Sequence, residues 1–243
     1  MIDAFAWGFL AASSLLVGGL VALRWRIGAR PLGLVMAFGA GVLLSAVAYD
    51  LVQEAADVAV GSWVVALGLA AGALTFFAGD TIIARMGGAD RKRFDAEEAS
   101  GSALAIVLGI VLDGIPESIV IGLTLVSGEG IAITIVVAVF LSNVPEAMAA
   151  TAGLRSRGWP STRILGLWAL VAVVSGLASL GGYVVLGGTA DQVVAFVDAF
   201  AAGAILTMLA TTMMPEAHKH GGRLVGLATT IGFGVAFGLT SLD

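Results

Sequence analysis

The sequence predicts an all-α, polytopic membrane protein of about eight transmembrane helices, and three observations predict it. Apolar residues fill 59% of the 243 positions and charged residues only 12%, about half the charged share of a soluble domain. Apolar runs near the ~20 residues that a spanning helix needs recur along the whole chain. All 12 Lys and Arg residues fall between alternate runs or at the very start of one, and therefore on one side of an eight-helix arrangement.

The first run, 4–23, follows Met1, Ile2 and Asp3. Without a basic n-region it reads as a retained helix and not as a cleaved signal peptide. Arg24, Arg26 and the Arg30-Pro31 pair separate it from the second run, 33–56. The third, 62–84, leads through Arg85 and Gly87-Gly88 into a charged stretch, 86–101, that holds Arg91, Lys92 and Arg93 and is predicted to be a cytoplasmic loop. The fourth and fifth runs, 102–126 and 130–153, carry acids in their interiors. Arg155, Arg157, Trp159-Pro160 and Arg163 lie before the sixth run, 164–187, and Gly187-Gly188 lies before the seventh, 193–217. Lys219, Gly221-Gly222 and Arg223 mark the entry to the eighth, 222–241. The positive-inside rule makes the basic side cytoplasmic and places both termini outside. The expectation is a single transmembrane domain over 1–243, in the plasma membrane. The 34 glycines suit close helix contacts in lipid. The absence of cysteine excludes disulfides, thiolate metal sites and thiol nucleophiles.

An internal repeat accompanies this pattern. Residues 36–55 align without gaps to 198–217, matching Ala37/Ala199, Phe38/Phe200, Ala40/Ala202, Gly41/Gly203, Leu44/Leu206, Ala48/Ala210, Glu54/Glu216 and Ala55/Ala217. The second and seventh runs cross in opposite directions, so the repeat is inverted. Ile115-Pro116-Glu117 and Val144-Pro145-Glu146 form a shorter echo, again on antiparallel helices. Inverted repeats with broken helices at their interface build many secondary transporters.

The acids define the candidate chemistry. Asp113 and Glu117 sit mid-way along the fourth run, and Glu146 lies well inside the fifth. Each carboxylate at that depth costs at least roughly 2.5–3.5 kcal/mol. No Lys, Arg or His lies in the interior of any run to offset this. Protonation or a cation from outside must do so. Asp113 and Glu117 are four apart and share a helix face. Pro116 and Pro145 take a backbone donor from the carbonyls of Leu112 and Leu141, predicting locally broken helices. Ser142 and Asn143 add neutral oxygens one turn before Glu146. This oxygen-rich set suits a divalent cation as transported substrate. Weaker candidates are Asp50 and Glu54 toward the outer side, with Asp57 and Asp198 nearby. Glu216, His218 and His220 toward the cytoplasm suit a transient exit site, because imidazole binds zinc and iron. Met208, Met213 and Met214 read as packing.

These motifs resemble those of the ZIP (Zrt/Irt-like) metal transporters. The likeness lies in the eight-helix layout with outside termini, the long loop after the third helix, and the Pro-Glu pairs on helices four and five. The family's helix-four motif runs His-Asn-x-Pro-Glu-Gly; here it reads Asp113-Gly114-Ile115-Pro116-Glu117-Ser118, and helix five reads Ser142-Asn143-Val144-Pro145-Glu146-Ala147. The resemblance implies that Glu117 and Glu146 are metal ligands and that Asn143 occupies a second-metal position. It also implies a homodimer, one helix bundle moving against the other, and zinc as the substrate. Asp113 and Gly114 depart from the family's His and Asn. The all-oxygen set that results is harder, which brings manganese and iron in beside zinc.

Two other classes compete. A proton-coupled permease for a small solute would use the same acids as a relay, giving uptake driven by a pH gradient without metal. An intramembrane enzyme is disfavoured, since no Gly-x-Ser-x-Gly or His-Glu-x-x-His motif occurs. Nothing supports a soluble or nucleic-acid-binding role.

Overall fold

The computed structural model describes residues 1–25, 27–60, 62–88, 103–126 and 133–240. Apolar segments in lipid must satisfy their own backbone groups, and these residues are helical almost throughout, with no strand among those described. Seven helices are long and apolar enough to cross a bilayer: α1 (Ile2–Arg24), α2 (Ala29–Val58), α3 (Val64–Gly87), α4 (Leu104–Leu123), α5 (Ile133–Ser156), α6 (Ser161–Leu186) and α7 (Asp191–Gly221). A shorter apolar helix, α8 (Leu224–Thr240), follows. The predicted loop at 86–101 lies almost wholly outside the described residues, as do Arg26, Arg91, Lys92 and Arg93.

Two of the predicted breaks are corrected. Arg30-Pro31 does not separate helices but lies in the first turn of α2. Backbone N–H groups there have no intrahelical acceptor, so proline loses nothing. Pro116 and Pro145 do not break α4 and α5, which stay α-helical through both. The irregularity falls instead on α2 and α7, which widen into π turns at Val47–Gln53 and Leu209–Met213. Val47 and Leu209 occupy matching positions of the aligned segments, so the two turns begin at the same place in the repeat. Pro215 accounts for the turn in α7, because it cannot donate to the preceding carbonyls. In α2 the matching residue is Gln53, so no proline dictates that one.

Glycine contacts fix the helix directions. Thr229 Oγ1 donates to the Ala37 carbonyl at 3.1 Å, and Tyr49 packs on Phe237 with ring centroids 5.0 Å apart. Numbers rise together along α2 and α8, so the two run parallel. The Ala199 side chain lies 2.7 Å from the place of a Cβ on Gly68, and Gly72 abuts the Phe200 carbonyl, so α3 and α7 are parallel too. Gly33 near the start of α2 meets Ala217, His220 and Gly221 at the end of α7, so α2 and α7 are antiparallel. The two pairs pack alike. Gly41 faces the Thr229 carbonyl and Gly232 the Phe38 carbonyl, while Gly203 faces the Leu69 carbonyl and Gly72 the Phe200 carbonyl. The repeat therefore extends beyond the aligned segments, to α3 and α8.

The remaining four helices form a second group. Gly8 and Ser179 bring α1 against α6 in the antiparallel sense, and Ser179 Oγ donates to the Ala4 carbonyl at 2.7 Å. Gly18 abuts Val144 and Arg155 Nη1 donates to the Leu23 carbonyl at 3.3 Å, so α1 and α5 are parallel. Gly122 abuts the Ser179 carbonyl and Gly182 the Ile119 carbonyl, while Gly114 lies beside Ser175. Numbers again rise together, so α4 and α6 are parallel and α4 opposes α5. Leu15, Ile106, Ala150, Ile164 and Trp168 form this group's own core. In it, Trp168 Nε1 donates to Thr151 Oγ1 at 2.9 Å, both groups being buried. A Thr151→Val variant is expected to lose about 1–3 kcal/mol, since the indole N–H is left buried without an acceptor. Thermal unfolding in detergent measures it. Met208 and Met213 lie in the core between α2 and α7, with Met214 packed against it, in the packing role predicted for them.

Candidate functional site

Helix α4 carries Asp113 and Glu117 one turn apart, and α5 carries Ser142, Asn143 and Glu146. All five are buried, Asp113 at 3%, Glu117 at 2% and Glu146 at 3% exposure. The acids are carried inward because the helix sequences on either side of them are apolar. Ser142 Oγ donates to the Val139 carbonyl at 3.1 Å, and Ser118 Oγ to the Gly114 carbonyl at 2.6 Å. Each hydroxyl spends its proton on its own helix and keeps its lone pairs. The Asn143 amide is buried as well. The buried polar residues include a fourth carboxylate, Asp198 on α7, and no Lys, Arg or His.

The Leu141 carbonyl, robbed of its donor by Pro145, points toward Gly39 on α2; a Cβ there would lie 3.4 Å from it. Among the described residues, however, no three acids or histidines come together closely enough to hold one ion. Any ion at α4 and α5 therefore needs neutral oxygens beside its carboxylates.

The weaker candidates separate into two ends of the molecule. At one end, a cavity of about 330 Å³ is lined by Asp50, Glu54, Asp191 and Asp198, together with residues at the end of α4. Asp50 accepts from Thr240 Oγ1 at 3.3 Å, which ties α8 to the rim. Asp198 is 6% exposed and has neither a hydrogen bond nor an ion pair with a described residue. Sequence reasoning placed Asp198 toward the outer side without counting it among the ligands. The signal was present: if α2 and α7 are antiparallel, the start of α7 must lie beside the end of α2. At the opposite end, Glu216 and His220 are four apart on α7, with His220 Nε2 and Glu216 Oε1 3.0 Å apart. His218, two residues from each, projects from another face and is exposed. The predicted Glu216-His218-His220 set is thus reduced to the Glu216-His220 pair.

No protein-family model matches the chain, and no curated protein does either. Function must then be argued from the site. Antiparallel helices carry the two Pro-Glu pairs with both glutamates buried, the Asn143 amide lies three residues before one of them, and a second set of acids lines a cavity at one end. Carboxylate, amide and carbonyl oxygens of this kind are hard donors, the ligand class that divalent cations prefer.

Proposed function

We propose that the chain transports a divalent metal cation across the plasma membrane, as the ZIP transporters its Pro-Glu motifs resemble do. The observation that carries this is the oxygen-rich set of α4 and α5, in which Asp113, Glu117, Ser142, Asn143 and Glu146 are all buried. Carboxylate and neutral oxygens together are the donor class that divalent cations take. In this reading α8 is an eighth span, both termini lie outside, and the acid-lined cavity is the outer mouth. Glu117 and Glu146 hold the ion. Asn143, Ser142 and the carbonyls of Leu112 and Leu141 complete the shell with neutral oxygen, and Asp113 adds charge one turn away. The set is hard, which admits manganese and iron beside zinc. The α2–α3–α7–α8 group forms a frame against which the α1–α4–α5–α6 group moves, in a homodimer.

The test is uptake into proteoliposomes, with zinc, manganese, iron, cadmium and magnesium offered in parallel. Metal uptake above protein-free vesicles supports the reading. Solute or proton movement under a pH gradient, with no metal uptake, replaces it with a proton-coupled permease. Glu54, exposed on the cavity wall, raises the local cation concentration at the mouth. Glu54→Gln should therefore raise the KM for metal by on the order of tenfold at low ionic strength, with an unchanged maximal rate. Added salt should shrink the difference. Concentration-dependent uptake at two salt levels checks both statements.

A further inference from the structure

The α1–α5–α6 end of the molecule carries a charge that nothing in the described chain neutralises. Arg24, Arg155 and Arg163 are exposed there and make no ion pair with a described residue. No Asp or Glu occurs between Asp3 and Asp50, nor between Glu146 and Asp191, so these helices offer no counter-ion of their own. All three guanidiniums have a positioning contact, that of Arg24 lying 5.7 Å from the centre of the Trp25 ring. The Arg163 guanidinium lies 3.8 Å from the centre of the Trp159 ring, which itself packs against the α1–α4–α5–α6 core. Arg155 is fixed by its bond to the Leu23 carbonyl.

The direction of the charge follows from helix spacing. Arg163, Leu170, Leu177 and Val184 are seven apart along α6, and the three apolar members are 60%, 54% and 53% exposed. Leu10, Val17 and Arg24 form the same kind of row on α1, again with both apolar members exposed. Residues seven apart share a helix face. Each arginine therefore ends a row of side chains that faces lipid, and so points toward the headgroup layer instead of the helix interior. Trp25, next to Arg24 and 60% exposed, is an aromatic side chain of the kind that settles at this level.

We propose that this end binds the phosphate of an anionic phospholipid headgroup, with Arg24 and Arg163 as the principal contacts and Arg155 in support. Guanidinium forks match phosphate oxygens in pairs, and stacking on Trp159 leaves the donors at the edge of the Arg163 fork available. The site is independent of the metal-transport reading and does not touch the buried acids.

The experiment uses the full chain in nanodiscs of phosphatidylcholine mixed with phosphatidylglycerol, followed by extraction and counting of the lipid retained on the protein. The wild type should retain phosphatidylglycerol in preference to phosphatidylcholine. Arg24→Gln and Arg163→Gln should each weaken that preference roughly fivefold, the weight of one basic side chain at an anionic surface. Arg85→Gln and Arg223→Gln, at the α3 and α7–α8 ends of the other group, should each weaken it clearly less than the two site substitutions do. Unfolding temperatures in pure phosphatidylcholine should be the same for all variants, which separates loss of a site from loss of fold. Competition by millimolar inorganic phosphate would mean that a free anion is the ligand, and would overturn the lipid assignment. So would equal retention of both lipids, or an equal effect of all four substitutions.

Discussion

Replacing Glu117 or Glu146 with alanine is expected to abolish metal uptake in proteoliposomes, with a fall on the order of 100-fold or more. Loss of a residue that merely orients a metal ligand already costs roughly 10–100-fold, and these two carboxylates are assigned direct contact with the ion. Both are almost completely buried, at 2% and 3% exposure. Neither can be replaced by water from bulk without opening the helix bundle. The glutamine forms of both keep the side-chain volume, so Glu117→Gln and Glu146→Gln should fold about as well as the parent. That combination separates the proposal from a structural role. A carboxylate that served stability would lower the unfolding temperature when removed. Glu117→Gln should behave like Glu117→Ala in uptake, since an amide keeps the shape without the charge.

The second large effect concerns assembly. Gly72→Val and Gly232→Val each place side-chain atoms on a backbone carbonyl, of Phe200 and Phe38 respectively. Backbone cannot swing aside as a side chain does, so α3 must part from α7, or α8 from α2. A cost of about 3 kcal/mol, at the upper end of overpacking effects, is expected for either one. Symmetry adds a stricter condition: the two variants should be similarly damaged, because the two contacts are equivalent. Gly234→Ala is the control. Nothing lies within 4 Å of a Cβ at that position, and alanine favours helix by up to about 1 kcal/mol over glycine. Unfolding temperature and the yield of monodisperse protein in detergent measure all three. Equal stability of Gly72→Val and Gly234→Ala would contradict the packing described for α3 and α7.

The helices were legible because a spanning segment needs length and apolarity, and both are properties of a run of residues. The kinship of α2 and α7 was legible through the glycines, alanines and phenylalanines that hold their close contacts. Its extension to α3 and α8 was not. There the matches reduce to Val65/Val225, Leu67/Leu227, Gly72/Gly232 and Phe77/Phe237, too scattered to stand out among apolar residues. What identifies them is the carbonyl each glycine meets, which only the packed structure supplies. The position of helical irregularity was misjudged for a related reason. Proline announces a missing donor, but α4 and α5 absorb that loss without unwinding, whereas the π turn of α2 has no proline to announce it. The acids of α4 and α5 were found from sequence because charge in an apolar run stands out. Asp198 was undervalued because its importance comes from the helices that surround it with Asp50 and Glu54. The predicted convergence of three acids on one ion is not met among the described residues, which moves the expected shell toward neutral oxygens such as the Asn143 amide.

The central claim is that an ion completes the buried carboxylates of α4 and α5, and X-ray absorption at the metal edge tests it most directly. Purified protein loaded with zinc or manganese should give a first shell of oxygen alone, near 2.0–2.2 Å for zinc. That shell should vanish when Glu117 and Glu146 are both changed to glutamine. A shell containing imidazole nitrogen, or a metal content that the double substitution leaves unchanged, would contradict the account.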